Sequence, residues 1–292
     1  MSSGSPRRLP LRRQPGWAWL RVLRPIALTV ATATAVGFAF ILEEGSPTWH
    51  EALRIGIVMG AVLAFASLMN DILDRHHDRD VYIWRPIPAD LVDRDRALRL
   101  TQFLAVLAIA LAASLGWRPA LIAIAGLAAA YLYNVRLKAT PFSWVPFALA
   151  FALIPVWVAE SVDRFDDVLW WSFPVGLSGG LATYIAIKLP DYERDDTDHT
   201  RNFLHWLTID YAVPVAWGAM GAYIVIAVAS ANIQTIRAEW LVPPAAIAIV
   251  LTLGVMVPLF LGVTERKLVA QRWLFSASVV ALSFGWLGSI IP

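Results

Sequence analysis

The sequence predicts an all-α membrane protein, a polytopic bundle of transmembrane helices. Apolar residues make up 58% of the 292 residues, and the mean hydropathy is +0.60, which is too hydrophobic for a soluble domain of this size. Nine apolar stretches are long enough to cross a bilayer, which takes roughly 20 helical residues. They fall at about 23–42, 52–70, 97–115, 119–135, 142–159, 168–188, 209–230, 240–263 and 270–291.

The positive charges predict how these spans are oriented. Lys and Arg accumulate in short cytoplasmic loops, and the chain has 24 of them. If the N-terminus is cytoplasmic, only four fall on the outer side, namely Arg54, Arg118, Arg164 and Arg237. Adding or removing one span would destroy this asymmetry. We therefore expect a multi-pass protein of the cytoplasmic membrane, with its N-terminus in the cytoplasm and its C-terminus outside.

The spans form one domain behind a short tail. Residues 1–16 are rich in Ser, Pro and Arg, which predicts a disordered basic tail next to anionic lipid headgroups. No long linker interrupts residues 17–292, so we assign them to a single membrane domain. The net charge of only +2 gives no indication of nucleic-acid binding, and the absence of cysteine excludes disulfides and thiolate metal sites.

Two acidic clusters begin where apolar stretches end. The first contains Asn70, Asp71, Asp74 and Asp78, and the second begins at Asp191 and includes 195–198. In a continuous helix, the carboxylates of each cluster would lie along one face. Both clusters fall on the predicted cytoplasmic side. We therefore expect the nine helices to surround a central cavity that opens near this face, with both clusters at its mouth.

Such concentrated carboxylates need a cation to hold them together. Hard oxygen ligands suit Mg²⁺, which keeps several waters and is usually shared with substrate phosphates. The sequence therefore indicates Mg²⁺ as cofactor and a diphosphate or polyphosphate substrate at the membrane surface.

These motifs resemble those of the UbiA superfamily of intramembrane prenyltransferases, which includes terpene cyclases. The first family motif, Asn-Asp-x-x-Asp-x-x-x-Asp followed by a basic-Pro step, is matched by 70–78 and by Arg85-Pro86. The second, Asp-x-x-x-Asp, is matched by Asp191 and Asp195. Further similarity lies in Arg24-Pro25 and in the stretch 131–138, and the resemblance covers nearly the whole chain.

The resemblance implies a role for each matching residue. The catalytic carboxylates would hold two Mg²⁺ ions, one at each cluster, and Asn70 would orient the first site. These metal-binding residues would be Asp71, Asp74, Asp78, Asp191 and Asp195. Basic residues of the same membrane face would bind the diphosphate, and aromatic rings would stabilise an allyl cation. The candidates are Arg85, Lys138, Lys188, Arg194 and Arg201 for the phosphates, and Tyr131 and Tyr133 for the cavity.

Some positions differ from the family pattern. Ile187 stands where many members carry Asn, Ala89-Asp90 replaces the usual Gly, and His199 and Asn202 occupy places often held by Gly and Thr. These differences leave the acceptor and the reaction type open.

Three functions are therefore considered. The leading hypothesis is Mg²⁺-dependent transfer of a polyprenyl group from its diphosphate to an aromatic acceptor inside the bilayer. The alternative is cyclisation of the prenyl diphosphate to a terpene without an acceptor, which uses the same ionisation. A cation transporter is the third, but transporters place ionisable groups near the bilayer midplane, whereas these carboxylates lie at helix ends. The prenyl chain length, the pathway and the oligomeric state are left open.

Overall fold

The computed structural model describes residues 15–78, 85–192, 201–233, 237–260 and 264–291, and this part of the chain is helical with no strand. Its long helices are α2 (Pro25–Leu42), α3 (Trp49–Leu73), α5 (Arg94–Ala113), α6 (Trp117–Val135), α7 (Val145–Ser161), α8 (Ser172–Lys188), α10 (Ile209–Ile233), α11 (Ala238–Phe260) and α12 (Glu265–Ile290). The short helices are α1 (Pro15–Val22), α4 (Arg75–Asp78) and α9 (Phe203–Leu207). Short 3₁₀ helices occur at Leu137–Ala139, Asp167–Trp171 and Leu189–Asp191.

The helical class predicted from the sequence is confirmed. Each predicted span overlaps one long helix of the described residues, but these helices differ in length and hydropathy. Six of them, α2, α3, α5, α6, α10 and α12, are long and apolar enough to cross a membrane. Helix α7 and the Glu239–Gly254 part of α11 are shorter apolar helices. The count of nine crossings and the central cavity therefore stay predictions.

Local signals fix where helices α3 and α5 begin. Helix α3 starts with a capping box: the Thr48 hydroxyl accepts from the Glu51 amide at 3.3 Å, and the Glu51 carboxylate accepts from the Thr48 amide at 3.0 Å. From there α3 continues to Leu73, so the first acidic cluster lies at its C-terminal end. Helix α5 is capped by Asp93, which accepts from the Arg96 amide at 3.0 Å.

Helices α7 and α8 approach each other through small residues. A Cβ atom added to Gly176 would lie 2.4 Å from the Cα of Ala152, and one added to Gly180 would lie 2.6 Å from the Cα of Ala148. Glycine therefore lets the two backbones touch, as small residues do in membrane helix pairs. We call this contact the glycine seam. It joins α7, which follows the loop after Lys138, to α8, which ends just before the second acidic cluster.

Gly176→Ala is expected to destabilise the protein by about 1–3 kcal/mol, because the new methyl group has to push α7 and α8 apart. The measurement is the thermal unfolding midpoint in detergent. Gly126→Ala is the matched control, since this glycine also lies inside a helix but has no atom within 4 Å of an added Cβ. The control should be neutral or gain up to roughly 1 kcal/mol from helix propensity. Equal unfolding midpoints for Gly176→Ala and Gly126→Ala would contradict the close backbone contact at the glycine seam.

Candidate active site

The first acidic cluster is organised around the C-terminal end of α3. Asp71 is buried, with 3% of its surface exposed, and Asp74 caps the helix. The Asn70 side chain, one turn before Asp74, donates from Nδ2 to Asp74 Oδ2 at 2.9 Å. Its Oδ1 accepts from Arg24 at 2.9 Å. Asn70 therefore contacts both a carboxylate and a cation of this cluster, and its role in orienting the first metal site stays a prediction.

Three cationic side chains converge on the two carboxylates of this cluster. Arg24 Nη2 lies 3.1 Å from Asp71 Oδ1, and Arg85 Nη1 lies 3.7 Å from the same oxygen. Lys138 Nζ contacts Asp74 Oδ1. The buried Asp71 is thus compensated by two guanidinium groups, which a charge in this position requires. Cationic and anionic groups are therefore interleaved in the described part of this cluster.

Arg24 occupies an unusual backbone conformation. It directly precedes Pro25, the first residue of α2, and has φ 50° and ψ 65°, in the left-handed region. A residue before proline normally adopts an extended conformation, and a non-glycine residue in the left-handed region costs of order 1–3 kcal/mol. The Arg24 side chain makes the two contacts with Asn70 and Asp71 from this position. Sequence reasoning noted the Arg-Pro step but did not assign Arg24 to the site.

Asn134 is a second site residue that the sequence analysis did not single out. It is buried in α6, with 3% exposure, and its Oδ1 accepts from Asn70 Nδ2 at 3.2 Å. Its Nδ2 donates to Ala130 O at 2.9 Å and to Ala66 O at 3.4 Å. The amide thereby links α6, just before Lys138, to α3. A polar Asn within an apolar stretch was the sequence signal for this link.

Asp90 explains one departure from the family pattern. Its φ of 58° lies in the left-handed region that favours glycine. Asp is one of the residues that tolerate this region. Its carboxylate accepts from Arg75 Nη2 at 2.6 Å. In the turn that follows Arg85-Pro86, Asp90 therefore occupies a conformation that glycine adopts easily and adds an ion pair to α4.

The second acidic cluster is described only in part. Asp191 is half-buried at the end of the turn Leu189–Asp191, and Lys188 is the last residue of α8. Asp195 and Arg194 lie outside the described residues, as does the side chain of Asp78 at the end of α4. In the described part of the chain, no group of three acidic or histidine side chains is close enough to hold a metal ion.

The remaining predicted site residues are placed near the ends of other helices. Arg201 is exposed, Tyr131 is 51% exposed and Tyr133 is half-buried. The contacts described above bring together Asn70, Asp71, Asp74, Arg85 and Lys138, with Arg24 and Asn134 added by the structure. The two-metal arrangement and the roles of the other residues stay predictions.

Comparison with known proteins assigns the chain to a family. The model of the UbiA prenyltransferase family matches residues 30–288, a range that contains both acidic motifs. The chain belongs to the UbiA prenyltransferase family. With six apolar helices long enough to cross a membrane among its described residues, this UbiA family member is an integral membrane protein.

Curated relatives and solved structures agree with the family. A digeranylgeranylglyceryl phosphate synthase of Pyrococcus abyssi is 29% identical over 166 residues, which is 56% of this chain and 56% of that relative. This chain thus matches about half the length of that relative. A digeranylgeranylglyceryl phosphate synthase structure superposes with a TM-score of 0.71 at 16% identity, covering 94% of this chain and 98% of that one.

A UbiA homolog from Archaeoglobus fulgidus bound to GPP and Mg²⁺ has a TM-score of 0.66 at 18% identity, covering 91% of this UbiA family member and 99% of that chain. At these identities the structural likeness shows the fold.

Proposed function

We propose that the chain is a Mg²⁺-dependent prenyltransferase that ionises a polyprenyl diphosphate and transfers the prenyl group to an acceptor. The observation that carries this proposal is the convergence of Arg24, Arg85 and Lys138 on Asp71 and Asp74. A site that combines carboxylate oxygens with cationic side chains suits a magnesium diphosphate, which carries both kinds of charge. Membership of the UbiA prenyltransferase family supports the same reaction.

The donor chemistry of the site fits Mg²⁺. Asp71 and Asp74 offer carboxylate oxygens within one turn of helix, and the amide of Asn70 donates to Asp74. Mg²⁺ typically uses one or two protein carboxylates and completes its shell with waters and substrate phosphate oxygens, so two carboxylates are sufficient at each cluster. Asp71, Asp74 and Asp78 would hold the first ion, and Asp191 and Asp195 the second. When bound, Mg²⁺ acts as a Lewis acid that neutralises charge on the phosphate oxygens.

The chain's own cations then stabilise the leaving group. The allylic C1–O bond breaks, and its electron pair goes to the departing diphosphate. Arg24, Arg85 and Lys138 neutralise the charge that develops there, which is usually the largest contribution to catalysis in such a step. The acceptor bonds to C1 and loses a proton. We assign Lys188, Arg194 and Arg201 to the phosphates from the second cluster, and Tyr131 and Tyr133 to the allyl cation.

Two classes of acceptor fit this reaction. The sequence analysis favours an aromatic acceptor, whereas the Pyrococcus abyssi relative is named for a glyceryl phosphate product. Both acceptor classes therefore belong in the test.

The decisive experiment uses the purified full chain in lipid nanodiscs with geranyl, farnesyl or geranylgeranyl diphosphate. Each is incubated with Mg²⁺ or with a chelator, and with an aromatic acceptor, a glyceryl phosphate acceptor or none. We expect diphosphate release that requires Mg²⁺ and a prenylated acceptor as product. A hydrocarbon or terpene alcohol formed equally well without acceptor would replace transfer by cyclisation. Absence of diphosphate release with every substrate would refute both enzymatic functions.

For the orientation, we propose a cytoplasmic N-terminus and an external C-terminus. Two of the four predicted outer arginines are held in ion pairs, Arg118 with Glu160 at 3.4 Å and Arg164 with Glu43 at 3.1 Å.

Because the chain has no cysteine, a single introduced thiol reports its own side of the membrane. Ala139→Cys should react with an impermeant maleimide only in inside-out vesicles, and Ser46→Cys only in right-side-out vesicles. The reverse labelling pattern would place the N-terminus outside and the C-terminus in the cytoplasm.

A further inference from the structure

Ser143 joins three segments of the chain through one hydroxyl group. It follows the turn Leu137–Ala139, which carries Lys138, and it is fully buried at 0% exposure. Its Oγ lies 2.5 Å from the Oη of Tyr184 in α8 and accepts from the Phe203 amide of α9 at 3.0 Å. The loop after Lys138 is therefore attached both to the helix that leads into the second acidic cluster and to the segment that follows that cluster.

Asn202 and His205 extend this attachment toward Asp191. Asn202 is buried, and its Oδ1 accepts from the Leu204 amide at 2.9 Å and lies 3.1 Å from His205 Nδ1. Since this Oδ1 atom already accepts from an N–H group, His205 Nδ1 is the donor of the second contact. The His205 ring stacks on Tyr192, with the ring centres 4.6 Å apart and the planes 9° from parallel. Tyr192 directly follows Asp191.

We propose that these five residues, Ser143, Tyr184, Asn202, His205 and Tyr192, form a brace that positions Asp191 relative to the Lys138–Asp74 pair. The brace thereby sets the affinity for magnesium diphosphate, an inference that rests on the proposed function. A diphosphate is short, so both acidic clusters bind it only while their separation is held constant, and displacements of about 1 Å in such sites reduce rates strongly.

The brace residues are positioning residues. Ser143 and Tyr184 are linked to Asp191 through backbone and stacking contacts, and Asn202 acts by capping α9. This explains why an Asn can stand at 202, where relatives often carry Thr, since both residue types cap helices.

Ser143→Ala tests the brace. It removes a buried hydroxyl and leaves the Phe203 amide without this acceptor. Loss of residues that orient metal ligands typically lowers metal affinity 10–100-fold, so we expect the half-saturating Mg²⁺ concentration for diphosphate release to rise at least about tenfold. Tyr184→Phe, a smaller change in the same hydroxyl pair, should raise it by a smaller factor and serves if Ser143→Ala folds poorly.

Ser161→Ala is the matched control. Ser161 is also buried at 5% exposure and lies at the opposite end of α7, but its hydroxyl donates only to Trp157 O of its own helix, at 2.7 Å. A general loss of helix packing would affect both variants, whereas the Mg²⁺ requirement should change only in Ser143→Ala and Tyr184→Phe.

A distance measurement provides a readout that is independent of activity. Because the native chain lacks cysteine, spin labels can be attached only at introduced thiols, here Ala139→Cys and Trp206→Cys. Both positions are exposed. The distance distribution between the labels should be narrow in the parent chain and in Ser161→Ala, and broader or shifted in Ser143→Ala and Tyr184→Phe.

The two proposals can fail separately. An unchanged distance distribution in both brace variants, or a Mg²⁺ requirement that matches Ser161→Ala, refutes the brace in a chain that is active. A parent chain that releases no diphosphate from any prenyl substrate refutes the proposed function, and with it the role of the brace in binding magnesium diphosphate.

Discussion

Asp71→Asn is expected to lower prenyl diphosphate turnover by about a hundredfold to a thousandfold, the range found when a preorganised electrostatic contact is removed. The substitution keeps the shape of the side chain but removes its charge. Asp71 is buried and lies next to Arg24 and Arg85. The substitution would therefore remove the shared counterion of these two guanidinium groups and, at the same time, a proposed Mg²⁺ ligand. The measurement is diphosphate release in nanodiscs at saturating Mg²⁺.

Asp163→Asn is the control for this experiment. Asp163 is an exposed carboxylate after the end of α7, and its φ of 54° is one that Asn also tolerates. Its neutralisation should leave turnover unchanged. If the turnover of Asp71→Asn stays within tenfold of that of Asp163→Asn at any Mg²⁺ concentration, Asp71 is not a ligand of the metal site.

Lys138→Ala is expected to lower kcat by about a hundredfold. Lys138 contacts Asp74 and is one of the three cations proposed to neutralise the leaving diphosphate. Removing it also removes a cation that competes with metal for Asp74, so the half-saturating Mg²⁺ concentration should stay the same or fall. The informative measurement is therefore a Mg²⁺ titration of kcat, in which this variant should differ in direction from Ser143→Ala.

Arg118→Ala provides the comparison for Lys138→Ala. Arg118 is also paired with a carboxylate, Glu160, but belongs to the predicted outer side. Its loss should leave kcat close to that of the parent chain, because exposed ion pairs contribute little. A Lys138→Ala enzyme with parental kcat and a raised Mg²⁺ requirement would assign Lys138 to positioning Asp74 rather than to the diphosphate.

The sequence was sufficient to predict the helical class, and it also singled out five of the seven residues that the described contacts bring together at the first acidic cluster. Apolar stretches of bilayer length and the carboxylates at their ends are local features, so hydropathy and spacing reveal them. For the same reason the contacts of Asn70 with Asp74, one helical turn apart, follow directly from the motif. Prediction was weaker where helices are short, because the 17 residues of α7 and of α8 fall below the usual length of a span.

The missed residues act across long sequence separations. Arg24 reaches Asp71 from just before α2, and Asn134 reaches Asn70 from α6. Ser143 reaches Phe203 through the packing of α7, α8 and α9. The local signal of each residue is weak. Arg24 lies in an Arg-Pro step, Asn134 is a polar residue in an apolar stretch, and Ser143 is an ordinary loop serine. Their partners are determined by tertiary packing, which no periodicity within one segment encodes.

The glycine seam restricts which parts of the bundle can open. Ser143 precedes α7, and Asp191 follows α8. Gly176 and Gly180 have no side chain, which allows the backbones of these two helices to touch. At these two positions no side chain separates the backbones, so the helices have to part before one can slide past the other. Under the proposed function, we therefore expect a lipid-sized substrate to enter between other helices, because parting α7 from α8 would first break the backbone contacts at Gly176 and Gly180.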